Sequence, residues 1–293
     1  DLWSVVGSVA ARMRPLVWEL EAPEVFLKRG GFDLVIGNPP WLKVQWNEGG
    51  ILEEMEPRVA LDGVSASDLA ARRRDILNST ARAEEYQIEA SHLQGMQAFV
   101  GAATNYPLLV ALKPNLYKCF ITRSFEIAAL KGVTALIHQD GLFEDPRGWP
   151  LRAALYPKLR WAFRFKNELQ LFPDVHHLRP YVLAICGAPS AVHFQVIANL
   201  FHPSTIDNIL SHDGAGTVPG IKIDDGGFDT RAHRSRAINV SSTELALFAR
   251  LFDGPGTIPE RARLPLVHSA EALAVLTKLA QHPLRLGDLG TEV

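Results

Sequence analysis

Apolar positions in the first part of the chain recur at helical spacing. Val5, Val6, Val9, Met13 and Val17 fall near one face and Pro23 interrupts them, so residues 1–31 predict a helix followed by a connector. The next run, Gly31-Phe32-Asp33-Leu34-Val35-Ile36-Gly37, is short, apolar and bounded by glycines, which predicts a buried strand. It leads straight into Asn38-Pro39-Pro40-Trp41. Residues 65–98 predict a helical excursion, with Ser65 as its cap, Asp68 in its first turn and Leu69, Ile76 and Leu77 as a partial apolar stripe. A further helix is predicted from Asn115 to Lys131, with Phe120, Ile121, Phe125 and Ala128 facing inward and Gly132 ending it. Val133–His138 then reads as a strand. A helix leads into Leu155, and two strand-like runs follow, Leu159–Phe165 and Tyr181–Cys186, with Leu171-Phe172-Pro173-Asp174 in the loop between them. Beyond Gly187 the character changes, and Gly, Asp and Pro crowd residues 213–230. This predicts a linker or domain boundary near 188–230. Helices alternating with apolar runs predict an α/β layer on a largely parallel sheet, with the chemistry on loops at strand C-termini.

Composition narrows the classes. Hydrophobic residues make up 47% of the 293 and charged residues 21%, which excludes a disordered or fibrous chain and leaves ample material for a core. Lys+Arg 30 against Asp+Glu 32 gives a net charge of −2, so any nucleic-acid binding must come from a local patch. Two cysteines, Cys119 and Cys186, make no disulfide framework and fit a reducing cytoplasm. No apolar run reaches the roughly 18 residues of a membrane span. The start, Asp1-Leu2-Trp3-Ser4, has neither a Met nor a basic leader, so the chain reads as a piece of something longer.

The chemistry centres on Asn38-Pro39-Pro40-Trp41. Two prolines fix φ and exclude helix, so the loop is stiff, and with no N–H on either proline its carbonyls face outward as acceptors. The Asn38 side-chain oxygen and the Pro39 carbonyl oxygen together suit both hydrogens of an exocyclic amine. Such an amine, conjugated to a ring, is a poor nucleophile. Holding its hydrogens favours a pyramidal nitrogen with a free lone pair. Trp41 offers a flat face on which a ring stacks. An ordinary Asn-Pro turn after a strand is the plain alternative.

A buried strand ending in Asn-Pro-Pro-aromatic resembles motif IV of amino-group methyltransferases that use S-adenosylmethionine. The closest resemblance is to adenine-N6 DNA methylases with the gamma order of motifs, as in type IIG restriction-modification and phage-defence systems. Trp18-Glu19-Leu20-Glu21-Ala22-Pro23-Glu24-Val25-Phe26 resembles the lead-in before that motif. Asn115-Leu116-Tyr117 with its helix and the Val133–His138 strand resembles motifs V and VI, and Leu171-Phe172-Pro173 resembles motif VIII.

The resemblance implies the C-terminal part of a Rossmann-like class I methyltransferase sheet. Residues 1–187 would be the partial catalytic domain, and 188–293 a linker and the start of a target-recognition region. It implies that Asn38 and Pro39, in the stiff loop with Pro40, hold the target N6 amine and that Trp41 stacks on the adenine. By the same resemblance Phe172 would contact the base from another side and Asn115 and Tyr117 would sit beside the pocket or the cofactor, with plain core packing as the alternative for Phe172 and Tyr117. The resemblance further implies that the base would be flipped out of duplex DNA, that methyl transfer would be direct, and that neither cysteine need take part.

The chain departs from the pattern in one respect. A βαβ unit needs about 30 residues or more, and no strand followed by a glycine-rich turn precedes Asn38. Gly214-Ala215-Gly216 lies in a Gly/Asp-rich loop, and Gly254-Pro255-Gly256 follows a helical pattern. The fragment alone is therefore expected to bind S-adenosylmethionine poorly and to be inactive, needing a missing N-terminal half or a partner subunit. Double-stranded DNA is the expected substrate. Arg231, His233, Arg234 and Arg236 are candidates for DNA contact, with a solvated loop as the alternative. The run Arg72-Arg73-Arg74 reads first as a solvated helix face and second as a phosphate contact. His176 and His177 beside Asp174 lack further converging ligands, so no metal is expected. Two alternatives stay open: a non-catalytic DNA-binding fragment, and the same amine chemistry on a protein glutamine or an RNA base.

Overall fold

The computed structural model describes residues 1–110, 112–113 and 115–283, so the last residues of the expected recognition region, 284–293, lie outside the described residues. The chain forms two compact units. One is Pro40–Cys119, and the other joins Asp1–Pro39 to the chain from Phe120 onward.

The larger unit is built on a six-stranded sheet of order β1-β2-β4-β3-β5-β6. The strands are β1 (Phe32–Gly37), β2 (Ala128–Gln139), β3 (Leu159–Phe165), β4 (Tyr181–Cys186), β5 (His193–Leu200) and β6 (Ile238–Ser241). Strands β1/β2 and β3/β5 pair in parallel, whereas β2/β4, β3/β4 and β5/β6 pair antiparallel. The fold is α/β as expected, but the sheet is mixed rather than largely parallel. No crossover helix separates β3 from β4, so the chain turns back on itself and inserts β4 antiparallel between β2 and β3. Beyond Gly187, β5 and β6 extend this same sheet across the span where a linker was expected. One edge of the sheet therefore gathers the C-terminal ends of β1, β2, β3 and β5 and the N-terminal ends of β4 and β6.

Two boundaries differ from the sequence expectation. The helix Leu116–Ile127 ends before Lys131, and Ala128 already belongs to β2 because it pairs with Phe32 of β1. Gly132 is not a helix stop but a close crossing. A Cβ there would lie 2.6 Å from the Phe32 carbonyl oxygen. Pro23 does not end a helix but begins one, Pro23–Arg29, at the first-turn position where its missing N–H costs nothing.

Leu151, Leu155 and Tyr156, at the helix Trp149–Leu155, lie in the core and are essentially inaccessible to solvent, and the Tyr156 ring stacks on Phe194 of β5 at 5.6 Å. A strap at residues 259–267 is clamped onto this core by buried arginines. Arg152 donates from Nε to the Ala262 carbonyl at 3.0 Å and from Nη2 to Arg261 at 3.0 Å, and the Tyr156 hydroxyl donates to Ala262 at 2.7 Å. Arg164 grips Asp140 through Nε and Nη2 at 2.7 and 2.6 Å while Nη1 donates to the carbonyls of Leu264 and Pro265 at 2.6 and 2.9 Å. Both partners of the Arg164–Asp140 pair are fully buried. A guanidinium presents five N–H donors in a fixed fork, which is why one side chain can join a strand, the loop after β2 and a distant strap.

The unit Pro40–Cys119 is helical, with Glu48–Met55, Pro57–Leu61, Ala66–Ile76 and Thr80–Gly101. Ser65 caps Ala66–Ile76 by accepting the Asp68 N–H at 3.2 Å. The expected single excursion is two helices, broken at residues 77–79, where Ser79 caps the second. Leu52, Val59, Leu69 and Ile76 form a small core with Met55, Val64, Leu77 and Tyr86 against it. Of the arginine run, Arg73 is drawn into an ion pair with Glu48 at 2.8 Å and donates to the Tyr86 hydroxyl, whereas Arg72 and Arg74 face solvent. Among the described residues no helix is long and apolar enough to cross a membrane.

Candidate functional site

The strand β1 delivers Asn38 to the sheet edge just defined. Asn38 is exposed, and among the described residues no hydrogen bond engages its side-chain amide. Pro39 beside it is buried, so the short loop is anchored by one ring while the neighbouring amide stays open. An exposed amide with no internal hydrogen bond keeps its carbonyl oxygen available as an acceptor.

The expected lead-in packs around the start of that strand. Trp18 and Phe26 each meet the Phe32 ring edge-on, with centroids 5.4 and 5.5 Å apart. Glu19 receives Arg123 from the helix Leu116–Ile127 at 2.6 and 2.7 Å. The lead-in thus holds β1 in place from one side.

The junction Pro39–Pro40 is also where the two units meet along the chain, so Pro40 and Trp41 open the helical unit. Within that unit the structure brings Trp41 close in sequence to a tether. The Leu116 N–H donates to the Leu42 carbonyl at 2.9 Å, and Lys43 bridges Asn115. Trp41 is half-buried, and Asn115 and Tyr117 are buried. The segment after Trp41 and the segment Asn115–Tyr117 are therefore neighbours.

Phe172 lies on the same sheet edge as Asn38, in the loop that precedes β4. With β2 between β1 and β4, the two strands stand roughly 10 Å apart at about 4.8 Å per strand. Phe172 is half-buried and meets Tyr181 edge-on at 4.9 Å. In this loop His177 pairs with Glu168 at 3.0 Å and His176 accepts the Leu178 N–H at 3.2 Å.

At the end of β2, on the same edge, stands His138, a residue that sequence reading passed over as part of a strand. It is fully buried, and burial pushes its pKa down to about 4. The sign follows from linkage. The unfolded chain takes up a proton near 6.5, the folded chain only near 4, so stability is complete above the higher value and falls as the pH drops between them. Native protein should lose up to roughly 3 kcal/mol through this group over that interval. Melting temperatures from pH 7 to pH 4.5 for the native chain and His138→Gln provide the check, and the difference between the two profiles should show the loss. Parallel profiles would remove His138 as its source.

Both thiols are buried, and burial pushes Cys119 up to about 11 and Cys186 up to about 12, so neither is a thiolate nucleophile at neutral pH.

The basic cluster flanking β6 is divided. Arg236 is not a surface cation. Its side chain is fully buried and donates to the carbonyls of Ala198, Asn199 and Arg231 at 3.0–3.1 Å, filling acceptors that the end of β5 leaves open. His233 is also buried. Arg231 is 70% exposed but held by Asp229 at 2.6 Å, and Arg234 is exposed. The sequence gives four basic residues in a row of six and no signal of which faces inward.

With this geometry in place, comparison with known proteins adds a family match over one stretch of the chain. Residues 7–60 match the Eco57I restriction-modification methylase family. That stretch contains the lead-in, β1 and the whole Asn38–Trp41 loop. No curated protein matches the chain. Among solved structures, the type IIG restriction endonuclease BpuSI is 13% identical with a TM-score of 0.35, and covers 73% of this chain and 19% of its own. A modification subunit of a putative type I restriction enzyme from Vibrio vulnificus YJ016 is 11% identical with a TM-score of 0.36, covering 83% and 40%. The type ISP restriction-modification enzyme LlaBIII, solved bound to DNA, is 10% identical with a TM-score of 0.29, covering 57% and 10%. The chain thus spans less than half the length of each of these proteins.

Proposed function

We propose that this chain is the substrate-holding part of a DNA methyltransferase of the restriction-modification or phage-defence kind, acting on the N6 amine of an adenine flipped out of the duplex. The observation that carries the reading is the open Asn38 amide at the C-terminal end of β1, inside the stretch that matches the methylase family. In this reading Asn38 Oδ1 and the Pro39 carbonyl accept the two amine hydrogens, Trp41 stacks on one face of the base and Phe172 bounds it from another side. Asn115 and Tyr117 border the pocket. Stacking and the two hydrogen bonds offset a flipping cost of a few kcal/mol. S-adenosylmethionine supplies the methyl group.

The described residues do not build a site for that cofactor. Gly214-Ala215-Gly216 follows the helix Ser204–Ser211, and Gly254-Pro255-Gly256 follows the helix Ser242–Phe252. Neither follows a strand, which a glycine-rich phosphate or cofactor turn requires. The reading assigns cofactor binding to a further segment or a partner subunit that continues the sheet beyond β1. Three features support this. Among the described residues β1 pairs only with β2, Leu34 and Ile36 on it are 55% and 71% exposed, and the helix Leu2–Met13 buries no residue. The region from 188 on would then contribute to target recognition. Arg234, and Arg231 once released from Asp229, would reach DNA from the same sheet edge.

The test is methyl transfer by the full-length protein that carries this chain, with labelled S-adenosylmethionine and duplex DNA. Label is expected in N6-methyladenine. Label in RNA or in protein glutamine instead would redirect the same amine chemistry to another substrate. DNA binding without any transfer would make the chain a recognition module.

A further inference from the structure

The loop that carries Phe172 has little to hold it. Residues 169–179 are almost all exposed, and its leucines, Leu169, Leu171 and Leu178, are 46%, 37% and 66% accessible, so none of the three pins its backbone. One buried polar side chain takes that role. Asn167 is inaccessible to solvent and sits in the single turn Asn167–Leu169 just after β3. Its Nδ2 donates to the carbonyls of Phe172 at 2.9 Å and Val175 at 2.6 Å, and its Oδ1 accepts the Phe172 N–H at 3.1 Å.

The backbone bends to suit. Gln170 adopts φ 52 and donates its N–H to the Asn167 carbonyl at 2.9 Å, and the Val175 N–H closes on the Phe172 carbonyl at 3.1 Å. Both backbone groups of Phe172 are thus fixed by one amide. Its ring is fixed by the edge-on contact with Tyr181, which in turn stacks flat on Phe165 at 5.0 Å.

The side-chain chemistry is selective. The loop needs two N–H donors and one acceptor in a single plane at the end of one methylene. Aspartate cannot donate, leucine can do neither, serine offers one donor, and glutamine is a methylene too long. From this geometry we infer that Asn167 is the positioning residue for the target base: it touches no substrate, but it sets where the Phe172 ring stands. The inference rests on the reading of Phe172 as a wall of the adenine pocket.

The experiment uses the full-length protein and a duplex that it methylates, with kcat and KM for DNA measured for Asn167→Asp, Asn167→Ser, Phe172→Ala and the double variant Asn167→Asp/Phe172→Ala. Asn167→Asp is expected to raise KM for DNA by tenfold or more, Asn167→Ser by less, and the double variant to be no worse than Phe172→Ala alone. Hydrogen exchange at the Phe172 and Val175 amides should quicken in both Asn167 variants while β3 and β4 keep their protection, which separates a loosened loop from an unfolded protein. Unchanged KM with a loosened loop, or losses that multiply in the double variant, overturn the inference. If the unaltered protein methylates no adenine, the proposed function itself has failed and the role of Asn167 falls with it, an outcome visible before any variant is made.

Discussion

Asn38→Ala is expected to cut methyl transfer by roughly 100- to 1,000-fold, a loss of about 3–4 kcal/mol of transition-state stabilisation. The size follows from what the amide does in the proposed chemistry. An exocyclic amine becomes nucleophilic only as its nitrogen leaves the ring plane, and an acceptor already aimed at one of its hydrogens favours that geometry. Alanine removes the acceptor and leaves the Pro39 carbonyl alone. Because Asn38 is exposed and carries no described internal hydrogen bond, its loss should cost the fold little, within about 0.5 kcal/mol. Asn38→Asp keeps an acceptor at the same place and should retain more activity than Asn38→Ala. The measurement is label transferred per enzyme at saturating DNA, with melting temperature as the control. An alanine variant as active as the native protein would sink the assignment of Asn38.

Arg164→Leu should have the largest effect on stability, about 3–5 kcal/mol, because it leaves the fully buried Asp140 carboxylate and two strap carbonyls without their donors. Domains of this size hold only about 5–15 kcal/mol in total, so the variant should lose a large fraction of the native stability. Arg164→Lys should fare nearly as badly, since one ammonium cannot span a bidentate carboxylate and two carbonyls at once. Removing both charges, Arg164→Leu with Asp140→Leu, should recover part of the loss. Urea midpoints for these variants decide the matter. A cost under about 1 kcal/mol for Arg164→Leu would mean that the pair does not hold the strap.

Much of the larger unit was legible in the sequence. The runs at 32–37, 159–165 and 181–186 became strands where the apolar pattern placed them, because each is bounded by a glycine, a proline or a polar loop. The errors arose where a distant partner decides. Ala128–Lys131 continues a helical stripe locally, and only pairing with Phe32 draws it into β2. The run His193–Leu200 has a strand's composition but was masked by the Gly- and Asp-rich stretch after it, and its partner β3 is not adjacent in sequence. That the Asn38–Trp41 segment follows directly on a strand was legible because strand and loop adjoin in sequence. Asn167, Asp140 and Arg164 were not, since an amide or an ion pair that joins segments far apart leaves no periodic trace. Arg236 shows the converse: a basic cluster on paper proves to be partly a backbone clamp.

The clamped strap also governs when the sheet can finish folding during synthesis. Arg164 finds its carbonyl at Leu264, a separation of 100 residues, and Arg152 and Tyr156 reach Ala262 across 110 and 106. At about 5–20 residues per second a nascent chain needs roughly 5–20 s to cover that distance. Until the strap emerges, Arg164 Nη1, Arg152 Nε and the Tyr156 hydroxyl lack these acceptors, and the core beside β3 is unfinished. Ribosome-bound chains ending near residue 255 should therefore remain sensitive to protease, while chains extending past residue 283, with the strap clear of the exit tunnel, should become resistant.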